Sequence, residues 1–252
     1  MNRFTLWLQS RPAEVQQRVR LFCLPHAGGG ATEFHSWTAE LPSFFHLCPV
    51  LLPGRETRLS EPLYTRIDPL LDAMDRELRP WLDIPYAVFG HSMGALLAFE
   101  WARRLKREGV SQPAWLFLSG RHAPDTPNET PLLHLLPDGE FVRELIRVYN
   151  GIPPELLENE ALREVFLPIL RADIEVVESY RFYEDEPLDC PITVFCGVND
   201  ASVSWDQLLA WKHHTCHTRF AVQILPGGHF YPQHPLLQTI SSTLTELLVR
   251  IP

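Results

Sequence analysis

The chain has 252 residues, 45% hydrophobic and 21% charged, which is ordinary for a globular protein with a sizeable core and excludes both disorder and a disulfide scaffold. A formal charge of -9 argues against a general binder of nucleic acid or anionic membrane, since both require basic surface. Five cysteines, Cys23, Cys48, Cys190, Cys196 and Cys216, form an odd set without a Cys-x-x-Cys pair and read as buried free thiols in a reducing compartment.

From the N-terminus, a short apolar patch around Phe4 to Leu8 gives way to Arg11-Pro12-Ala13-Glu14, too short and too charged for a secretory h-region. No stretch approaches the roughly 20 apolar residues of a membrane span, so the expected location is cytoplasmic. Apolar runs follow at Val19 to Leu24, Leu47 to Leu52, Ala87 to Phe89, Ala114 to Leu118, Ile192 to Cys196 and Ala221 to Leu225, each bounded by Gly, Pro or polar residues. Such runs predict buried parallel strands. Between them, Ile67 to Leu82 and Ala95 to Leu105 carry helical spacing. The alternation predicts an α/β fold with a mostly parallel, doubly wound sheet.

The alternation breaks between Gly120 and Leu188, where no strand candidate occurs. Pro124 to Pro137 is proline-rich, and Phe141 to Tyr149, Glu155 to Leu157 and Ala161 to Tyr180 read as helices, interrupted by Asn150-Gly151-Ile152-Pro153-Pro154. The expectation is one domain over residues 1–252, with a core of 1–119 and 189–252 and a helical insertion at about 120–188. An insertion on the C-terminal side of a parallel sheet, where ligands bind, predicts a lid.

Four loops carry chemistry. Gly90-His91-Ser92-Met93-Gly94 links a strand to a helix in the pattern of a nucleophile elbow, which holds a serine hydroxyl clear of the backbone within reach of a base. Downstream, Gly197-Val198-Asn199-Asp200 and Pro226-Gly227-Gly228-His229 each follow a strand, in the order Ser, Asp, His. Ser92 is the expected nucleophile, His229 its base and Asp200 the group that orients the imidazole. Asp206 lies within a predicted helix and Asp189 precedes its strand, which favours Asp200. An oxyanion would need two backbone donors, assigned here to Met93 and to Ala27 of the loop Pro25-His26-Ala27-Gly28-Gly29-Gly30. His26 reads as an organiser of that loop.

His213, Cys216 and His217 look like a fragment of a zinc site but lack partners to complete a tetrahedral set, so no metal is expected. The basic run Arg103-Arg104-Leu105-Lys106-Arg107 reads as the solvated C-terminal end of the helix after Ser92.

Taken together, Leu24 to Gly29, Leu52-Pro53-Gly54-Arg55-Glu56 with Arg58, Phe89 to Gly94, Leu167-Pro168-Ile169-Leu170-Arg171-Ala172-Asp173, Gly197 to Asp200 and Gly228-His229-Phe230 resemble, in order, the type II (external) thioesterases of nonribosomal peptide and polyketide synthesis, within the α/β-hydrolase superfamily. The resemblance implies hydrolysis of aberrant acyl or aminoacyl thioesters from the phosphopantetheine arm of carrier proteins, passing beneath a helical lid. It implies no cofactor, phosphopantetheine being part of the substrate. Acyl or peptidyl carrier domains of a synthase are the expected partners, and the enzyme is expected to be a monomer that binds neither nucleic acid nor membrane. The competing readings are a stand-alone acyl-CoA thioesterase or esterase, an acyltransferase, since Gly-His-Ser-x-Gly also occurs there, and a non-catalytic docking module.

Overall fold

A computed structural model describes residues 5–9, 17–126, 132–149 and 159–250. The expected break at 150–154 and helix at 155–157 lie outside these residues, as do Phe4 of the N-terminal patch and part of the proline-rich segment.

The six apolar runs form β1 (Val19–Leu24), β2 (Phe45–Pro49), β3 (Tyr86–His91), β4 (Trp115–Ser119), β5 (Ile192–Gly197) and β6 (Phe220–Leu225). They pair as one parallel sheet in the order β2-β1-β3-β4-β5-β6. The α-helices are α1 (Trp37–Glu40), α2 (Ile67–Leu78), α3 (Met93–Arg107), α4 (Asp138–Tyr149), α5 (Glu160–Ser179), α6 (Trp205–Leu209) and α7 (Gln233–Arg250).

Every residue of β1 and β5 is buried, because helices cover both faces of the sheet. Alternate residues point to opposite layers. Phe22, Val88, Leu116 and Val194 pack with α2 and α3, while Leu21, Phe89, Phe117 and Phe195 pack with Trp37 of α1 and with Leu236, Ile240 and Leu244 of α7. The winding reverses between β1 and β3, whose following helices α1 and α3 take opposite faces. Their exit loops therefore diverge at the strands' C-terminal ends and leave a crevice at that switch point.

Two boundaries and two environments differ from the sequence reading. β2 ends at Pro49, and the apolar run continues as Val50, Leu51 and Leu52 off the ladder, where Leu51 N–H bonds Trp7 O at 2.8 Å. Burial outside the sheet maintained the pattern that suggested a longer strand. Helix α2 stops at Leu78 and tightens into a 3-10 turn, Arg79–Trp81, because Pro80 has no N–H to continue the ladder. The basic end of α3 is not simply solvated: Arg103 is buried and pairs with Glu100 and Asp185, and Arg104 pairs with Asp72. Four cysteines are buried as read, but Cys216 is exposed and its thiol donates to Asp189.

Between β4 and β5, α4, α5 and the 3-10 turn Leu133–Leu135 form a separate apolar cluster of Leu133, Phe141, Leu145 and Ile174 over the C-terminal edge of the sheet. Asn159 caps α5 by accepting from Leu162 N–H at 3.2 Å, and Pro168 stands within the helix. Among the described residues no helix is long and apolar enough to cross a membrane.

Candidate active site

Ser92 sits between the last residue of β3 and the first of α3, at φ 53° and ψ -110°. A positive φ at a residue bearing a Cβ costs on the order of 1–3 kcal/mol and persists only where surrounding structure imposes it. Here Ser92 N–H bonds Ser119 O at 2.8 Å, and Ser92 O accepts Ala95 N–H at 3.1 Å. The flanking glycines are steric requirements. A Cβ on Gly90 would stand 2.0 Å from Gly94 O, and one on Gly94 would stand 2.2 Å from Leu24 O, both rigid backbone atoms. The elbow thus packs its own turn against the end of β1 with hydrogen atoms where side chains would be.

The other two expected residues meet at the ends of β5 and β6. Backbone bonds hold those loops together, from Val198 N–H to Leu225 O at 2.8 Å and from Asn199 N–H to Gly227 O at 2.9 Å. His229 Nδ1 lies 2.9 Å from Asp200 Oδ2, with both side chains almost fully enclosed. Asp200 Oδ1 accepts Ser202 N–H at 2.9 Å and Ser202 Oγ–H at 2.6 Å. Burial would raise the Asp200 carboxyl, but the hydrogen bond and charge of His229 and the two bonds from Ser202 outweigh it and hold it below the usual carboxylate range. Asp200 stays ionised against the ring and fixes which nitrogen carries the proton. Asp206 is exposed on α6, and Asp189 binds Lys106 and Gln112, so neither supplies the carboxylate at His229.

Ser92 and His229 open onto one cavity of about 470 Å³. Ala27 and Gly28 from the loop after β1 form part of its wall, and Leu145, Tyr149, Leu170 and Ile174 from the helices close it from above. Met93 opens α3, so its N–H is among the helix's unpartnered first donors and lies at the positive end of the helix dipole. His26 Nδ1 lies 2.9 Å from Ala27 O, and its Nε2 lies 3.2 Å from Glu33. The His26 ring is drawn upward in pKa because the Glu33 carboxylate and the Ala27 carbonyl together outweigh burial, which alone would lower it.

Several residues at the site have partners that no local sequence pattern indicated. Asp173 of α5 reaches the loop after β1: its Oδ2 accepts Gly28 N–H at 2.7 Å and Arg55 Nη1 at 2.7 Å, and its Oδ1 accepts Arg55 Nη2 at 2.8 Å. Arg55 also donates to Gly29 O at 2.9 Å. Two segments that stood out in the sequence, around Arg55 and around Asp173, thus meet across 118 residues as a buried ion pair beside Ala27. Tyr149 places its ring 4.8 Å from that of His229. His91, 5.0 Å from His229 on another side, has Nδ1 2.6 Å from Ser119 Oγ, while its buried Nε2 has no partner. Burial, reinforced by the His229 and His26 rings, pushes His91 well below the usual histidine range.

The zinc-like fragment disperses. His217 Nδ1 accepts Arg219 N–H at 3.0 Å and the Cys216 thiol donates to Asp189. Among the described residues no group of three or more His, Cys, Asp or Glu could hold a metal ion.

The chain is similar to known proteins in both sequence and fold. The thioesterase-domain family model matches residues 19–245. The gramicidin S biosynthesis protein GrsT of Aneurinibacillus migulanus is 41% identical over 89% of this chain and 87% of its own. Among solved structures, the RedJ thioesterase of the prodiginine pathway in Streptomyces coelicolor is 37% identical over 92% of this chain and 89% of its own, with a TM-score of 0.84. The type II thioesterase BorB of the borrelidin cluster is 36% identical over 98% of this chain and 99% of its own, with a TM-score of 0.85. With its six-stranded parallel sheet and flanking helices, the chain belongs to the thioesterase family in the α/β-hydrolase fold, as a thioester hydrolase grouped with the type II thioesterases of nonribosomal peptide and polyketide synthesis.

Proposed function

We propose that this enzyme clears aberrant acyl and aminoacyl groups from the phosphopantetheine arm of carrier proteins in a nonribosomal peptide or polyketide assembly line, using Ser92, His229 and Asp200 as its catalytic triad. The observation that carries the mechanism is that His229, paired with the enclosed Asp200, lines the same cavity as the strained Ser92.

In this reading Ser92 Oγ attacks the thioester carbonyl carbon as His229 Nε2 takes the hydroxyl proton, while Asp200 stabilises the imidazolium that forms. Backbone N–H groups of Met93 and Ala27 receive the oxyanion, and the N-terminus of α3 adds a favourable dipole. Collapse of the tetrahedral intermediate breaks the C–S bond, and His229 returns the proton to the departing sulfur. Water then attacks the acyl-serine carbonyl, its proton passing to His229, and the acid is released as Ser92 regains its hydrogen. No step calls for a cofactor. A thiolate leaves more readily than an amine, so the same machinery serves many acyl groups.

Helices α4 and α5 act as the lid of a single domain, with the acyl group beneath Leu145, Leu170 and Ile174. The partners are acyl or peptidyl carrier domains, and the enzyme works as a monomer in the cytoplasm. The test is hydrolysis of a panel of acyl and aminoacyl carrier proteins beside acyl-CoA and simple esters. Turnover led by the carrier thioesters is expected. A strong preference for free esters, or full activity in Ser92→Ala, would overturn the reading.

A further inference from the structure

The loop pattern that marks the proposed acid ends at Asp200, yet the hydrogen bonds of that carboxylate run two residues further, to Ser202. Asp200 presents its two oxygens to different partners. Oδ2 faces His229 Nδ1 at 2.9 Å, while Oδ1 accepts the Ser202 backbone N–H at 2.9 Å and the Ser202 hydroxyl at 2.6 Å. The backbone bond is the ordinary turn that an aspartate makes with the chain two residues on. The hydroxyl bond is additional and needs a short side chain that can donate.

That hydroxyl also meets the other member of the pair. Ser202 Oγ lies 3.3 Å from His229 Nδ1. Its single hydrogen goes to Oδ1 at the shorter distance, so Oγ turns a lone pair toward the ring nitrogen. The Nδ1–H then has Oδ2 as its main acceptor and Oγ as a weaker second. An imidazolium formed during the reaction is held by two oxygens on two residues.

The hydroxyl bears on charge as well as on position. A donor that bonds an ionised carboxylate stabilises that form and weakens its pull on other protons. Burial raises the Asp200 carboxyl, and His229 followed by the hydroxyl and N–H of Ser202 brings it below the usual range. The other titratable groups facing the pair are Cys196 of β5, 4.0 Å from Oδ2, His91 of β3, Tyr149 of α4 and Tyr231 beyond His229. Burial keeps the protons on Cys196, Tyr149 and Tyr231 and keeps His91 neutral, so none of them changes charge near neutral pH. Arg121 lines the same cavity as a constant cation.

Ser202 is itself held from both sides. Asp200 N–H bonds Gly197 O at 3.0 Å behind it. Ahead of it, Ser204 caps α6 by accepting Gln207 N–H at 3.3 Å and donating its own N–H to Gln207 Oε1 at 2.9 Å, and Val203 packs against the core. The hydroxyl therefore sits on a short tether between two fixed points.

We propose that Ser202 is a positioning residue for thioester hydrolysis, whose hydroxyl pins the Asp200 carboxylate against His229 and draws off part of its charge, setting the pH above which His229 is free to act as base. The inference rests on Ser92, His229 and Asp200 acting as proposed above and adds a fourth side chain to that machinery.

The test follows kcat/KM for an acetyl N-acetylcysteamine thioester from about pH 5 to about pH 8.5 and, over the same range, the rate at which a fluorophosphonate labels Ser92. The proteins compared are the parent, Ser202→Ala, Ser202→Cys and Ser202→Thr, with thermal melts alongside. Ser202→Ala is expected to move the midpoint of the acid limb up by about 0.5–1 pH unit, a change of about 3- to 10-fold in proton affinity, and to lower kcat on the plateau about 3- to 10-fold with KM unchanged. The sign follows from charge: without the hydroxyl the carboxylate stabilises the imidazolium more strongly, and the base is free only at higher pH. Ser202→Cys, a weaker donor, shifts the limb part of the way, and Ser202→Thr restores both midpoint and plateau. Equal midpoints in the parent and folded Ser202→Ala, a downward shift, or a Ser202→Thr as impaired as the alanine variant overturns the inference. If Ser202→Ala does not fold, the difference between the Cys and Thr variants decides in the same way. A parent enzyme that hydrolyses no thioester overturns the functional reading instead, and its labelling profile still decides the role of Ser202.

Discussion

The sheet edge and the helices above it hold their functional groups by different means. At the edge, backbone does the positioning. Ser92 is pinned between β3 and α3 with a glycine hydrogen against Leu24 O, and the loops of Asp200 and His229 are cross-tied by main-chain bonds. In the helical layer, side chains do it: Asp173 reaches down to Arg55 and Gly28, Glu178 caps the turn at Leu133, and Arg171 holds His134 O, Leu136 O and Asp138. Backbone placement gives a fixed catalytic geometry. Side-chain placement gives a cover that is anchored at a few points and can be loosened by removing one.

The largest effect should come from the edge, where chemistry can be removed without disturbing the scaffold. Asp200→Asn is expected to lower kcat/KM on the order of 10⁴-fold by leaving the wrong imidazole tautomer, with a melting temperature close to that of the parent. Asp206→Asn serves as the control and should be nearly silent. Steady-state kinetics with thermal melts decide it, and the reverse ranking would place the acid elsewhere.

The helical layer should instead lose stability first. Asp173→Ala leaves Arg55 as an uncompensated buried charge and should cost about 3–5 kcal/mol in denaturant unfolding. Replacing the pair together, Arg55→Met with Asp173→Leu, should recover most of that stability, because two apolar side chains need no desolvated partner. It should not recover the rate, since Gly28 N–H, next to the proposed donor Ala27, would still lack the carboxylate that holds it. Full recovery of both would make the ion pair purely structural.

The smallest effect separates a neutral buried group at the edge from its charged neighbours. His91 is held below its unfolded pKa of about 6.5, so the unfolded chain takes up a proton that the folded chain refuses. Its contribution to stability is present above that pH and is lost as pH falls from about 6.5 toward the folded value, by at most about 1.4 kcal/mol per pH unit. His91→Gln should flatten the acid limb of the stability curve between pH 7.5 and 5.5. Equal slopes in the two proteins would show that folding leaves the proton affinity of His91 unchanged.

Legibility followed the same division. Ser92, Asp200 and His229 could be read because each follows an apolar strand run at a glycine-rich turn, and a parallel sheet brings all such turns to one edge. The strand and helix pattern was legible for the same reason, with errors where burial continued beyond the element, as at Leu51, or where Pro80 stopped a helix whose apolar spacing ran on. Arg55, Asp173, Tyr149 and Arg121 were not legible as partners of the site. No spacing rule links an arginine after β2 to an aspartate in α5.

By itself, then, the sequence determined the order of strands and helices, the elbow at Ser92 and the glycine-rich turns that carry the proposed acid and base, because these depend on hydrophobic periodicity and on glycines needed within a few residues of where they act. Only the tertiary structure decided that Asp173 secures the loop before Ser92, that Glu100 and Asp185 neutralise Arg103 in the core, and that Arg121 lines the cavity. Pairing between charges distant in the chain is set by how layers stack, and a buried charge reveals its need for a partner only once every neighbour has been placed.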